Sequence, residues 1–440
     1  MKLSKYTRVV NLDNGFVYLY ATANRAIVAL PELAVNDNCV LDDVGKANLR
    51  TLEKMGFFAS EEEMRKRAME ELDNSNKLFI SVELNHSCNL RCPYCYQGTE
   101  KHNSRLSPSD IDGLMRYCRW VFETSACSDL YLKVLGGEPT LAWELFEQLH
   151  SGVRDLCHIC RVKYHLLVDT NGTRVDELSR LSGFDTLLFT IPLTHKACHD
   201  KMRYYADKNG SYDDIVDNVN KLHQAFPHSK IILRHNTDGE NIRLFPKYID
   251  DISKKCSWKP WVSLNYTGNF NGDEFDNTLD YAQFIEWSCS EAIEVLLRNE
   301  MPILTAPLSS IEECQWRSKH SLKLFVDGTV GNCAMSYYES DRPSLESVLA
   351  HIDAGKNHDF FLRKRELTLA AQDECLGCAS LFLCGGTKKL PCIQAVSPGP
   401  CEYDSAHNID IERFLRTYYD AKERGLGNLF VVFEGGEGYR

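Results

Sequence analysis

Between residues 77 and 275, six β-type runs alternate with helical stretches, and few folds accept that order. The runs are Leu78–Leu84, Leu130–Leu135, Tyr164–Asp169, Thr186–Leu193, Lys230–Arg234 and Trp261–Tyr266. The stretches between them are Ser109–Thr124, Ala142–Cys157, Val175–Leu181, Tyr212–Ala225 and Ile242–Lys255. Parallel strands need long crossovers, and helices supply them, so repeated βα units imply a parallel sheet closed fully or partly into a barrel. The first helix has a start signal: Ser107 caps it, Pro108 takes the first position and Asp110 completes a capping box. In such folds the chemistry sits at the C-terminal ends of the strands.

The flanks read differently. Thr7–Asn11 and Phe16–Ala21 bracket Asp13-Asn14-Gly15, a hairpin signal, and Ala26–Leu30 suits a third strand. Lys46–Met55 looks helical and stops at Gly56, and the charged stretch from Ser60 to Asn76 reads as an exposed helix. Beyond residue 276 a long helix, Leu279–Asn299, precedes a loop-rich, cysteine-rich tail without internal repeats. Three domains are expected: 1–76, 77–275 and 276–440.

Of the 440 residues, 18 are cysteine, too few for a disulfide scaffold and more than a core requires. The N-terminal MKLSKYTRVVNLDNG has no apolar h-region or cleavage site, and no apolar run approaches the ~18 residues of a membrane span. A cytoplasmic chain is expected, whose reduced thiols serve as metal ligands, catalytic groups or core residues. The net charge of −12 argues against general binding to nucleic acid or anionic membranes.

Directly after the first strand comes Cys88-Asn89-Leu90-Arg91-Cys92-Pro93-Tyr94-Cys95. Three thiolates on one short loop can ligate three irons of a [4Fe–4S] cluster and leave the fourth iron open for a substrate. A zinc site would want a fourth ligand, for which His86 is near.

This segment resembles the CxxxCxxC signature of radical SAM enzymes, with Tyr94 as its aromatic residue. Gly136-Gly137-Glu138-Pro139, after the second strand, is similar to the family's GGEP motif, which holds the methionine amine. Thr170-Asn171-Gly172 matches the TNG turn, and Thr190 stands where many relatives have a serine that contacts S-adenosylmethionine. His199-Asp200-x-x-Arg203 resembles an HDxxR segment whose arginine approaches the cofactor carboxylate, and Arg234 and Asn236 end the fifth strand. The resemblance implies a partial (β/α)6 TIM-like barrel and a SAM-binding [4Fe–4S] cluster on Cys88, Cys92 and Cys95. It further implies reductive cleavage of S-adenosylmethionine to a 5′-deoxyadenosyl radical that takes hydrogen from a substrate. Tyr94, Gly136, Gly137, Glu138, Pro139, Asn171, Thr190, Arg203 and Arg234 are the implied cofactor contacts.

Seven further cysteines follow: Cys314, Cys333, Cys375, Cys378, Cys384, Cys392 and Cys401, with four residues between Gly328 and Cys333. One reading is a zinc ribbon, although only Cys375 and Cys378 form a strict CxxC among them. The order also resembles the SPASM domain, which implies two auxiliary [4Fe–4S] clusters and three clusters in all. Seven residues separate Cys384 from Cys392 where the family has three. By the resemblance, Cys375, Cys378, Cys384 and Cys401 hold one auxiliary cluster, and Cys314, Cys333 and Cys392 hold the other. That second cluster keeps an open iron or takes another ligand, with His320 the nearest in sequence.

The N-terminal strands and helices are similar to winged-helix-like leader-recognition domains of peptide-modifying members, which add a leader as a strand at a sheet edge. The implied function is modification of a ribosomally made precursor peptide, most simply as a thioether or carbon–carbon crosslink, fed by a flavodoxin or ferredoxin-type electron donor. Anaerobic sulfatase-type formylglycine formation is the runner-up, because Ala334 stands where those relatives carry an aspartate proposed as base. A non-catalytic zinc- or cluster-binding protein is the alternative from another class. Cys39, Cys118, Cys127, Cys157, Cys160, Cys198, Cys256 and Cys289 read as packing residues.

Overall fold

The computed structural model describes residues 2–21, 26–35, 41, 49–58, 60, 62–63, 66, 76–98, 100–268, 275, 277–304, 320–331, 342–355 and 403–430. Cys39, Ala334 and the seven C-terminal cysteines lie outside the described residues, as does most of the charged stretch 60–76.

Near the N-terminus, β1 (Thr7–Asn11), β2 (Phe16–Ala21) and β3 (Ile27–Pro31) form an antiparallel sheet in sequential order. Both faces of β2 are covered. Val17, Leu19 and Ala21 join Leu52 and Phe57 in a small core. Tyr18 and Tyr20 face the main core, and the Tyr18 ring lies 4.3 Å from Tyr419 on the Tyr403–Glu423 helix. The expected helix over 46–55 is described as Leu49–Lys54.

The six expected barrel strands are β4 (Lys77–Glu83), β5 (Asp129–Leu135), β6 (Lys163–Asp169), β7 (Thr186–Pro192), β8 (Lys230–Thr237) and β9 (Trp261–Tyr266). Two short strands absent from the sequence reading, β10 (Leu322–Leu324) and β11 (Val330–Gly331), extend the sheet. Its order is β11-β10-β4-β5-β6-β7-β8-β9, parallel throughout except for the β10–β11 pair. The sheet keeps two ends among the described residues, so the barrel is partial.

Strand periodicity divides the two faces. Leu78, Ile80 and Val82 of β4, Leu130, Leu132 and Val134 of β5, and their equivalents point outward under the helices. The intervening residues point into the barrel. At its N-terminal end Phe79, Tyr131, Leu167, Leu188, Ile232 and Trp261 form an apolar plug. The expected capping box is present: the Ser107 side chain accepts from Asp110 N, and the Asp110 side chain accepts from Ser107 N.

Two expected helices come out differently. Val175–Leu181 yields only the 3-10 turn Leu178–Arg180. Seven residues squeezed between two turns are too few for cooperative helix formation. The single helix expected over 279–299 is two, Tyr281–Ser288 and Glu291–Arg298. Ser288 and Ser290 donate their hydroxyls back to the Ile285 and Glu286 carbonyls, a local bonding pattern that competes with the helix ladder.

Gly328 sits in the turn between β10 and β11, with φ +75°. Its N–H donates to Phe325 O at 3.0 Å, and Phe325 N donates to Thr329 O at 2.9 Å. A left-handed residue closes that turn, which gives the glycine of the spaced pattern a physical reason.

Candidate active site

The cysteine loop leaves β4 at its C-terminal end. Cys92 is buried, and Cys88 and Cys95 are partly buried. Burial pushes the Cys92 thiol up to about 11, Arg203 opposes that, and Cys95 and Cys88 add to it. Burial likewise raises Cys88. The three thiols therefore share one electrostatic environment. No trio of His, Cys, Asp and Glu among the described residues closes around a single metal ion. A cluster spreads three thiolates over three irons, so thiols that neighbour one another without meeting at a point fit a cluster better than one ion.

Donors already face the sulfurs. Leu90 N lies 3.4 Å and Asn171 Nδ2 3.7 Å from Cys88 Sγ, and Lys101 Nζ lies 3.2 Å from Cys95 Sγ. Hydrogen bonds of this kind stabilise thiolate charge and tune a cluster.

The Gly136-Gly137-Glu138-Pro139 segment lies directly on the lead-in to this loop. Gly137 N donates to Asn85 O at 2.7 Å and Glu138 N to Ser87 O at 2.8 Å. A Cβ on Gly136 would come within 2.8 Å of Asn85 O, and one on Gly137 within 2.7 Å of His86 O and closer still to Ser87 O. The glycines thus permit close approach of protein backbone to protein backbone.

Glu138 is fully buried and ties the second motif to the third. Its Oε1 accepts from Thr140 N and from the Thr140 and Thr170 hydroxyls at 2.7–3.1 Å, and its Oε2 accepts from Asn171 N at 2.7 Å. Burial raises its carboxyl pKa, and the hydrogen bonds from Asn171 and Thr140 oppose that rise. Asn171 then reaches the cysteine loop, donating to Asn89 Oδ1 at 2.8 Å, while Asn89 Nδ2 donates to Thr173 Oγ1 at 2.8 Å.

The HDxxR segment closes the other side. His199 is buried, with Nε2 3.1 Å from Ser211 Oγ, and Asp200 Oδ1 accepts from Tyr212 N at 2.9 Å. These contacts hold the loop that carries Arg203, whose guanidinium donates to Tyr94 OH at 3.2 Å beside Cys92. Burial and the neighbouring Arg203 act in opposite directions on Tyr94, and burial prevails, so the phenol stays neutral.

Inside the barrel, above the apolar plug, lies a charged layer. Lys133 Nζ and Asp169 Oδ2 are 2.7 Å apart. Burial would raise the Glu83 carboxyl, but the buried Lys323 ammonium and His86 hold it down at about 2, and Gln97 and Tyr96 donate to its Oε1. Thr190 Oγ1 and Arg234 Nε are buried without a hydrogen-bond partner among the described residues. Buried polar atoms are normally paired. These two, toward the C-terminal ends of β7 and β8, fit a polar ligand such as S-adenosylmethionine.

Residues 82–252, covering the loop and all three motifs, match the Radical SAM superfamily family model. This chain carries a radical SAM domain. Among solved structures, native anSMEcpe with bound AdoMet and Cp18Cys peptide has a TM-score of 0.58 at 17% identity, covering 79% of this chain and 99% of that one. Native anSMEcpe with bound AdoMet gives 0.56 at 17% identity over 80% and 99%. Streptococcus suis SuiB bound to S-adenosylmethionine gives 0.48 at 13% identity over 86% and 93%. At these identities the anSMEcpe likeness concerns the fold. No curated protein matches the sequence.

The radical SAM domain thus brings together Cys88, Cys92, Cys95, Tyr94, Asn171 and Arg203, with Glu138 tying the Asn171 turn to the cysteine loop and Arg203 reaching that loop through Tyr94. The His320 ring meets Trp120 edge-on at 5.7 Å, and the cysteines of the cluster it was considered for lie outside the described residues. Cys118, Cys157, Cys198, Cys256 and Cys289 are buried, and Cys127 and Cys160 partly so, all as free thiols. The sequence reading missed Asn85, Asn89, Lys101 and the charged layer. Lys133 and Lys323 did leave a signal, since each is a charge flanked by apolar residues within a strand, and Glu83 and Asp169 are acids that close apolar runs.

Proposed function

We propose that this radical SAM enzyme modifies a ribosomally made precursor peptide, abstracting hydrogen from one of its residues and installing a thioether or carbon–carbon crosslink. The observation that carries the reading is the cysteine loop at the C-terminal end of β4, locked to the second and third motifs by Glu138 and opening onto a charged barrel interior. The family match supports S-adenosylmethionine and one [4Fe–4S] cluster. Together they supply a one-electron reductive bond cleavage that yields a hydrogen-abstracting radical.

The chain's own residues hold and orient. Cys88, Cys92 and Cys95 ligate the cluster. The Gly136–Pro139 edge, Asn171, Thr190, Arg203, Arg234 and Tyr94 surround the cofactor, with the cations matching its carboxylate. Asp169 and Lys133 face the space where a side chain of the substrate is presented. A peptide substrate is supported by the fold likeness to anSMEcpe, which was solved with a peptide bound. In β1 and β3 the N-terminal sheet offers two edge strands, the feature that leader addition needs. The C-terminal cysteines form a SPASM domain with two auxiliary clusters, and a flavodoxin or ferredoxin-type protein supplies the electron. Ala334 in place of an acid weighs against formylglycine formation. Among the described residues no helix is long and apolar enough to cross a membrane.

The test is co-expression with a short open reading frame found beside the gene, followed by mass spectrometry of the peptide. A crosslink appears as a peptide lighter by two hydrogen atoms. An aldehyde at a cysteine or serine would restore the formylglycine reading. A peptide unchanged in mass and stereochemistry, with no 5′-deoxyadenosine released, would remove the proposal.

A further inference from the structure

Each sulfur of the cysteine loop has a polar neighbour, and two of the three neighbours belong to motifs. Cys88 has Asn171 of the TNG turn, and Cys92 has Arg203 of the HDxxR segment. The neighbour of Cys95 belongs to none. It is Lys101, six residues downstream, with Nζ 3.2 Å from Cys95 Sγ and 2.5 Å from Gly98 O. The Gly98 N–H in turn donates to Cys95 O at 2.9 Å, so the ammonium is held against the turn that presents this sulfur.

We propose that Lys101 is a tuning residue for the cluster: its ammonium hydrogen-bonds to the Cys95 thiolate and raises the reduction potential of the SAM-binding [4Fe–4S] centre. The physics is a charge balance. Reduction adds one electron to a cluster that its thiolates already make negative. A cation in contact with one of those sulfurs stabilises the reduced form more than the oxidised form, and the potential rises. Lys101 is only half-buried, so water and salt screen part of the effect. The inference rests on the assignment of Cys88, Cys92 and Cys95 to the cluster.

The experiment is an anaerobic potentiometric titration of the full-length holoenzyme, followed by electron paramagnetic resonance. The SAM-binding centre is the reduced signal that changes shape when S-adenosylmethionine is added, which separates it from auxiliary signals. Lys101→Met is expected to lower the reduced-to-oxidised ratio at a fixed potential about tenfold, or about 59 mV for one electron. Lys101→Arg keeps a cationic donor and should stay close to the unsubstituted enzyme. Lys101→Gln keeps a donor without charge and should fall between them. An unchanged midpoint in Lys101→Met at full iron content overturns the proposal. Loss of the signal in both neutral variants, with Lys101→Arg loaded, would make Lys101 a structural brace and overturn tuning as well. If the unsubstituted enzyme shows no signal that responds to S-adenosylmethionine, the cluster assignment itself fails, a different result from either.

Discussion

Replacing Cys88, Cys92 and Cys95 together with alanine should abolish 5′-deoxyadenosine release and leave the remaining iron in place. The three thiols leave β4 on one loop, and in the proposed assignment each supplies one ligand. Without them the cluster has no protein ligands, and no other described group substitutes, since no His, Cys, Asp or Glu trio gathers elsewhere among the described residues. Three clusters need about twelve irons, so the variant should lose about four. Iron analysis and chromatography of the deoxyadenosine product read the two effects separately. The fold should survive, because the main core is built from the outward strand faces and the helices over them. Continued cleavage of S-adenosylmethionine by the triple variant would refute the catalytic assignment. An iron content below about four in the unsubstituted protein would refute the three-cluster reading.

Gly137→Ala should be nearly as damaging, for a steric reason. The added methyl would meet two backbone carbonyls, His86 O at 2.7 Å and Ser87 O nearer still. A side chain can turn away from such a clash, but a carbonyl pinned in a hydrogen bond cannot, and Ser87 O is pinned by Glu138 N. Relief requires moving the lead-in to the cysteine loop. Overpacking of this kind costs about 1–3 kcal/mol and sometimes more. The expected outcome is a lower melting temperature together with poor cluster loading, while Gly355→Ala, strained by its left-handed φ of +64° but with nothing within 4 Å of its added Cβ, should lose stability only and load normally. Full cluster loading by Gly137→Ala would show that the loop can shift without consequence.

Sequence and structure agree best where burial is greatest. Strands β4 to β9 were readable because both faces are covered, which makes them nearly continuous apolar runs bounded by turns. The cysteine loop and the glycine-rich edge were readable because their residue types are rare and their spacing is fixed. The partners that hold them were harder to see. Asn85, Asn89 and Lys101 act through the distance between loops, and linear sequence carries no record of that distance. Strands β10 and β11 span three and two residues, too few for any period to show. The split at Cys289 was hidden because its causes, the Ser288 and Ser290 hydroxyls, look like ordinary polar positions on an amphipathic helix.

Strand β10 also bears on how the molecule is made. It pairs with β4 in register Leu322–Ile80, Lys323–Ser81 and Leu324–Val82, and it brings Lys323 to Glu83. The Leu345–Asp353 helix then lays Leu345 and Leu349 against Gly113 on the first barrel helix. During synthesis, the strand that bears the cysteine loop therefore emerges long before the segment that covers its flank. Until residue 322 leaves the ribosome, β4 is an open sheet edge whose acid, Glu83, lacks its lysine partner. Such edges invite wrong partners, and contacts this distant in sequence form late. A nascent chain that captured iron before that point would do so on an unfinished scaffold, so cluster insertion belongs after the C-terminal region has docked.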